Sequence, residues 1–315
     1  MIFAEGKGNR MYSVPMERFV REFELEEVLP EIKIEGKALT KSEINRPALQ
    51  ITGFFEHFDS DRIQIIGKVE YAYLLNMPEE LKESVFERIC GSKVPCMVLC
   101  NHVKPVPEML KYARKYDIPV FSTPNRTSYF MSEAIRWLNS ELAERITIHG
   151  VLVDVYGVGI LMIGESGVGK SETALELIKR GHRLVADDAV EIKRISHNKL
   201  IGSSPGLIRY FIELRGIGII NVKELFGIGS IKINKTIDLV IKLVMWDSRI
   251  EYDRLGLNDE YMDIMGNKIV CNSIPIRPGR NLAVICEAAA INHRQKKLGY
   301  NAAEMLNKRL ESNED

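Results

Sequence analysis

The chain has 315 residues, 45% of them hydrophobic and 27% charged, a globular composition with enough length for about two domains. Its 43 lysines and arginines balance 43 aspartates and glutamates, and this zero net charge argues against nucleic-acid binding, which usually comes with a basic excess. The first residues, MIFAEGKGNR, carry no apolar signal segment, and no uncharged apolar run reaches the ~18 residues of a membrane span, so we expect a cytoplasmic protein without membrane contact.

The five cysteines predict neither a disulfide framework nor a metal site. Their number is odd and no CxxC pair occurs. Cys96 and Cys100 are the pair that could suggest metal binding, but they adjoin the apolar run MVL, and free cysteine is a common core residue. We therefore expect both to be buried thiols.

The first half of the chain alternates helical and extended patterns. The patterns predict helices over residues 15–28, 78–90, 107–115 and 128–142, and strands over residues 32–34, 63–66, 97–100 and 118–121. This alternation predicts an α/β domain with a partly parallel sheet. We place the N-terminal α/β domain, whose role the sequence leaves open, at residues 1–132 and the second domain at residues 133–315.

The second half begins with a region rich in strands and ends with helices. Apolar runs predict strands over residues 146–155, 160–163, 184–192 and 239–246. A final helix is predicted over residues 281–298, since its apolar residues fall on one face and Gly299 is a suitable stop.

A phosphate-binding loop stands between a strand and a helix of the second domain. Residues 164–171 read GESGVGKS and match G-x-x-x-x-G-K-[ST] at every fixed position. The strand at 160–163 and an amphipathic helix at 172–180 supply the setting that this motif requires. The candidate nucleotide-binding residues are Gly164, Glu165, Ser166, Gly167, Val168, Gly169, Lys170 and Ser171.

Each fixed position of this pattern has a physical role. Glycines let the backbone turn its N–H groups towards phosphate oxygens, and the following helix directs its positive end to the same anion. Lys170 adds a mobile positive charge, and Ser171 offers a hydroxyl to Mg²⁺. The loop therefore predicts binding of a nucleotide or another polyphosphate.

Two adjacent acids follow the loop and its helix. The run LVADD ends in Asp187 and Asp188, and a kinase benefits from a carboxylate that takes the proton of the acceptor hydroxyl. Successive side chains of a strand face opposite ways. We expect one acid to face the phosphates and the other to support Mg²⁺ or the backbone, and the sequence leaves open which does which.

The three motifs GESGVGKS, LVADD and ELRGIGIINV (residues 213–222), followed by PIRPGR, resemble the signature set of the HPr kinase/phosphorylase family. The resemblance implies an N-terminal α/β domain and a C-terminal P-loop kinase domain similar to the phosphoenolpyruvate carboxykinase core. It also implies a bifunctional enzyme that uses ATP or pyrophosphate, with Mg²⁺, to phosphorylate a serine of HPr, the phosphocarrier of the sugar phosphotransferase system. The same enzyme removes that phosphate with inorganic phosphate and releases pyrophosphate.

The resemblance also implies roles for single residues. Asp188 matches the base for the serine hydroxyl, His149 in TIHGVLV matches a histidine that assists it, and Arg254 matches a catalytic arginine. Glu213 matches a ligand that holds Mg²⁺ together with Ser171. The segment 275–280 matches one tied to dephosphorylation, and the family forms homohexamers that bind HPr partly through the C-terminal helix.

Two other functions are compatible with the P-loop. One is a kinase of a small metabolite or a relative of the phosphoenolpyruvate carboxykinases, and the other is a non-catalytic regulator that senses nucleotide. Asp188 and His149 beside the loop favour chemistry over sensing, and the zero net charge disfavours a regulator that binds DNA.

Overall fold

The computed structural model describes residues 12–312 apart from 197, 248, 250–255, 257–258 and 278, and these residues form two compact units. The units divide between Ala143 and Glu144. The predicted boundary at residues 132 and 133 differs, because it falls inside a helix, Thr127–Glu141, whose buried side chains pack into the core of the first unit. In the described part of the chain, no helix has the length and apolar character needed to cross a membrane.

The first unit is an α/β domain, as predicted. Its strands are β1 Val14–Pro15, β2 Glu26–Glu27, β3 Ala38–Leu39, β4 Ile44–Asn45, β5 Ile63–Ile66, β6 Met97–Cys100 and β7 Val120–Thr123. Its helices are α1 Met16–Glu22, α2 Ala48–Ile51, α3 Lys68–Leu75, α4 Glu79–Gly91, α5 Pro107–Tyr116 and α6 Thr127–Glu141. A five-stranded sheet has the order β2-β7-β6-β5-β4, in which β4 to β7 are parallel and β2 is antiparallel.

This sheet is covered on both faces, which explains why its central strand β6 is apolar and buried throughout. One core packs the sheet against α4 and α5, and the other packs it against α1 and α6. Cys96 and Cys100 belong to the second core and are fully buried free thiols, as predicted. Burial raises the pKa of both thiols, since a thiolate would lose its hydration there.

One predicted strand of this unit is wrong. Residues 32–34 form no strand, because the backbone turns and the N–H of Ile32 donates to the carbonyl of Leu29 at 3.0 Å. Ile32 is buried in the core beside α4 and α5, so its apolar character reflects packing rather than strand pairing. The predicted helix over residues 15–28 also ends early, at Glu22.

The second unit carries most of the strands. They are β8 Arg145–His149, β9 Val151–Val155, β10 Val158–Gly164, β11 Arg183–Ala186, β12 Ala189–Ser196, β13 Lys199–Ser203, β14 Phe211–Leu214, β15 Gly218–Asn221, β16 Asn234–Thr236, β17 Leu239–Met245, β18 Glu260–Ile264 and β19 Asn267–Ile276. The helices are α7 Lys170–Lys179, α8 Val222–Phe226, α9 Leu282–Lys297 and α10 Ala302–Glu311.

A six-stranded sheet with the order β11-β9-β10-β17-β19-β18 organises this unit. Strands β10, β17 and β19 are parallel, so their carboxyl ends meet at one edge. Helices α7 and α9 pack on one face of the sheet, and a second sheet, β16-β13-β12-β8, packs on the other. Strands β14 and β15 form a separate hairpin.

Two long strands predicted in this unit are wrong in the same way. The predicted strand over residues 146–155 is divided at Gly150 into β8 and β9, and that over 184–192 is divided at Asp187 and Asp188 into β11 and β12. Each pair of fragments belongs to two different sheets. The two breaks touch, since the N–H of Gly150 donates to the carbonyl of Asp188 at 3.1 Å.

Gly159 in β10 lies where the two sheets approach each other closely, next to Thr236 of β16. A Cβ at this position would lie 1.9 Å from the backbone oxygen of Thr236, an atom that cannot move aside cheaply. We expect Gly159→Ala to lower the free energy of unfolding by at least ~2 kcal/mol, measured by thermal unfolding followed by circular dichroism. Gly206→Ala is the control, because nothing lies within 4 Å of its Cβ position. Equal unfolding temperatures of the two variants would contradict the steric argument.

Candidate active site

The phosphate-binding loop leaves β10 and enters α7. Gly164, Gly167 and Gly169 have φ values of 152°, 81° and 95°, a region that side chains disfavour. A Cβ at Gly164 would also lie 2.6 Å from the backbone oxygen of Leu243 in β17. The three glycines are therefore required by the backbone path, which brings the amino end of α7 to the carboxyl edge of the sheet.

Lys170, the first residue of α7, is buried with 6% of its surface exposed. Its ammonium group donates hydrogen bonds to the carbonyls of Gly164 at 2.9 Å and Glu165 at 2.8 Å. Loss of hydration lowers the pKa of this ammonium, and the charges of Asp187 and Asp188 oppose that effect. The loop thus holds a partly desolvated positive charge, which a polyphosphate would stabilise.

Asp187 lies behind the loop with only 4% of its surface exposed. The hydroxyl of Ser171 donates to its Oδ1 at 2.8 Å, and the backbone N–H of Glu213 donates to its Oδ2 at 3.2 Å. Burial raises the pKa of the Asp187 carboxyl in spite of these two hydrogen bonds. A cation beside Ser171 would favour the ionised carboxylate.

These residues fit a magnesium ion that also binds phosphate oxygens. Because the Ser171 hydroxyl donates a hydrogen bond to Asp187, the lone pairs of its oxygen can point to a metal. Glu213, in β14, has an exposed side chain next to the backbone N–H that holds Asp187. Across the described residues, no group of three or more His, Cys, Asp or Glu could hold a metal. Mg²⁺ commonly binds through one or two carboxylates together with substrate phosphates, and Glu213 would supply such a carboxylate.

Asp188 faces a different partner from Asp187. Its backbone has φ of 66°, a left-handed conformation that aspartate tolerates better than most residues. Its Oδ1 lies 3.1 Å from Nδ1 of His149, which ends β8, and both side chains are exposed. The turn therefore separates the two acids, one beside Ser171 and the other beside His149.

Arg215 is a site residue to which the sequence analysis gave no role. It lies in the turn between β14 and β15, and its Nη2 donates to the hydroxyl of Ser166 at 3.0 Å. A Cβ on Gly167 would lie 2.4 Å from Nη1 of Arg215, so the guanidinium group rests against the loop. The sequence signal that could have identified Arg215 is its position in ELRGIGIINV, two residues after Glu213.

The structure thus gathers most of the predicted residues around the loop. The loop itself, residues 164–171, lies with Asp187, Asp188, His149 and Glu213. Arg254, the predicted catalytic arginine, lies outside the described residues. The arrangement offers a polyphosphate cradle, a metal ligand and an exposed carboxylate, which together suit phosphoryl transfer to a hydroxyl group.

Comparison with protein families gives two matches that together cover most of the chain. The family described as HPr Serine kinase N terminus matches residues 14–138, and the family described as HPr Serine kinase C-terminal domain matches residues 140–310. The junction between the two matches lies close to the division between the compact units.

Whole proteins give a consistent result. An HPr kinase/phosphorylase of Lachnoclostridium phytofermentans is 56% identical over 303 residues, which cover 96% of this chain and 98% of the relative. One of Caldicellulosiruptor bescii is 51% identical over 302 residues, covering 96% and 97%. A solved structure, the HPr(Ser) kinase/phosphatase of Coxiella burnetii, is 37% identical and covers 51% of this chain and 98% of that one, with a TM-score of 0.46.

Proposed function

The chain belongs to the HPr kinase/phosphorylase family, and from this premise we propose that it phosphorylates a serine of HPr and also removes that phosphate. ATP or pyrophosphate is the donor in the first reaction, and inorganic phosphate is the attacking group in the second. The observation that carries the proposal is the exposed carboxylate of Asp188, paired with His149 at 3.1 Å and joined in sequence to Asp187, which binds Ser171 of the loop.

In the kinase direction, the loop amides and Lys170 hold the donor phosphates, and Asp188 accepts the proton of the serine hydroxyl. A bond forms between the serine oxygen and the terminal phosphorus, while the bond from that phosphorus to its bridging oxygen breaks. The nucleoside diphosphate, or phosphate when pyrophosphate is the donor, leaves with the electron pair. His149 holds the Asp188 carboxylate in position through the contact at 3.1 Å.

In the reverse direction, the protonated Asp188 serves as the acid. An oxygen of inorganic phosphate attacks the phosphorus of phosphoserine, pyrophosphate forms, and the departing serine oxygen takes the proton from Asp188. The two reactions exchange donor and acceptor around the same phosphorus, so one set of charges stabilises both transition states.

Mg²⁺ would be held by Ser171 and Glu213 and would neutralise negative charge on the phosphates. Asp187 keeps the Ser171 hydroxyl oriented through its hydrogen bond at 2.8 Å. We extend the proposal to a homohexamer in the cytoplasm, which the family resemblance implies.

A phosphotransfer assay with purified HPr tests this function. We expect ATP and Mg²⁺ to yield HPr phosphorylated on serine, and added inorganic phosphate to remove the label and release pyrophosphate. HPr with alanine in place of the acceptor serine is the control and should remain unlabelled.

The same assay separates the competing functions. A metabolite kinase would transfer phosphate to a small molecule and leave HPr unlabelled, whereas a nucleotide sensor would bind ATP without transfer to any acceptor. Either result would refute the proposed function.

A further inference from the structure

A tryptophan and an arginine form a stacked pair where β17 and β19 end. The guanidinium carbon of Arg277 lies 3.2 Å from the ring centroid of Trp246, and Trp246 keeps 39% of its surface exposed. Met245 and Ile276 are register partners in the parallel pair, so the two stacked residues follow directly after paired positions. The stack holds a flat aromatic surface in place at the rim of the sheet.

This pair lies at the same edge of the sheet as the phosphate-binding loop. Gly164 in β10 is the register partner of Leu243 in β17, and Trp246 follows Leu243 by three residues. At the usual rise per residue, the tryptophan lies about 10 Å beyond the level of Gly164, one strand away from it. Ligands of parallel α/β sheets bind at this carboxyl edge.

The position of the acids sets the direction of a bound donor. Asp187 and Asp188 follow β11, which is separated from β10 by β9, whereas β17 and β19 lie on the other side of β10. The terminal phosphate has to lie near Asp188, the proposed base. The β14–β15 hairpin lies on the same side as the acids, where Arg215 contacts Ser166 of the loop. The rest of the donor therefore extends away from β11, towards the ends of β17 and β19.

We propose that Trp246, held in place by Arg277, stacks on the base of a nucleotide donor and thereby distinguishes ATP from pyrophosphate. The inference rests on the proposed function, because it assumes that the loop binds the donor phosphates. Stacking on an aromatic side chain suits any base, since every base has a flat face. Pyrophosphate fills the same phosphate cradle and has no base, so it makes no use of the tryptophan.

Trp246→Ala tests the assignment by separating the two donors. We expect the KM and the Kd for ATP to rise roughly 10- to 100-fold, the range that loss of one stacked base produces. Phosphorylation with pyrophosphate should stay near its original rate, because pyrophosphate has no base. Calorimetric titration with each donor gives a binding measurement that does not depend on turnover.

Three further variants show whether stacking is the cause. Trp246→Phe keeps an aromatic ring and should recover most of the ATP affinity, whereas Trp246→Leu keeps only apolar bulk and should resemble the alanine variant. Tyr261→Ala removes an exposed aromatic residue from β18, away from the loop. It should change the affinity for neither ATP nor pyrophosphate. Should the alanine variant fail to fold, the contrast between the phenylalanine and leucine variants still decides the question.

Two results would overturn the inference. Equal losses of affinity for ATP and for pyrophosphate would mean that Trp246 stabilises the local structure at the edge of the sheet and does not contact the base. Unchanged ATP affinity in both Trp246→Ala and Trp246→Leu would place the base elsewhere. A failure of the proposed function gives a different result, because the original protein would then transfer phosphate to HPr from neither donor. The calorimetric comparison would still show whether Trp246 contributes to ATP affinity.

Discussion

Lys170→Ala is expected to reduce phosphorylation of HPr at least ~10³-fold, because it removes the full charge that the loop directs at the donor phosphates. The ammonium is buried and donates to the loop carbonyls of Gly164 and Glu165. A lysine on the exposed surface therefore cannot replace it. Dephosphorylation should fall as well, since pyrophosphate forms in the same cradle. Initial rates with saturating HPr, measured for both donors and for phosphorolysis, provide the comparison.

The control for this variant lies on the same helix. Lys179→Ala removes an exposed lysine from the other end of α7 and should leave all three rates close to those of the original protein. Circular dichroism of both variants checks that α7 persists. Normal turnover by a folded Lys170→Ala variant would contradict the assignment of the loop.

Asp188→Asn is expected to lower the rate of transfer in both directions by about 10²- to 10⁴-fold, the usual contribution of a positioned acid–base group. Asparagine fills nearly the same space and also tolerates the left-handed backbone at this position, so the fold should persist. The amide can neither accept the serine proton nor return it. Nucleotide affinity should change little, because the Asp188 side chain faces His149 and not Ser171.

Asp263→Asn is the matched control, since it makes the same chemical change in the β18–β19 hairpin. Asp263 accepts a hydrogen bond from the N–H of Gly266, which asparagine can also accept, and we expect full activity. Calorimetric titration with ATP accompanies the rate measurements. A loss of ATP affinity with an unchanged maximal rate, or a loss confined to one direction, would show that Asp188 is not the shared acid–base group.

Local patterns predicted five helices, α4, α5, α6, α7 and α9, to within two residues at each end, whereas α2, α3, α8 and α10 were not predicted. Helix α5 begins at Pro107 as predicted, and α9 has Asn281 as its N-cap, whose side chain accepts from the N–H of Val284. Such signals act within one or two turns of the chain, so they can be read without knowing what the helix packs against. The short strand Met97–Cys100 was predicted with the same bounds for a similar reason, because both of its faces are buried.

Strand continuity was harder to predict, because it depends on the partners of a strand. Residues 146–155 and 184–192 are rich in apolar residues, and the sequence predicts each as one strand. In the structure each divides between two sheets, at Gly150 and at Asp187 with Asp188. A Cβ at Gly150 would meet the backbone oxygen of Met162 at 2.6 Å, a contact with a different strand that no local pattern records.

The same division accounts for the chemistry of the site. His149 ends β8 next to the break at Gly150, and Asp188 occupies the other break, so the proposed base and its partner meet where two strands leave one sheet for another. From sequence, the role of His149 rested on family resemblance alone. Alternation along a strand could not assign the separate positions of Asp187 and Asp188, because the turn at Asp188 interrupts that alternation.

The amino-acid sequence was sufficient to predict a polyphosphate site at residues 164–171, because eight consecutive residues encode the glycine torsions, the lysine and the helix start that such a site requires. Tertiary structure alone decided which acid supports Ser171 and which faces His149, and it alone stacked Arg277 on Trp246 at the same sheet edge. These contacts join residues distant in sequence, and their distances follow from how the strands pair and where the sheets exchange them.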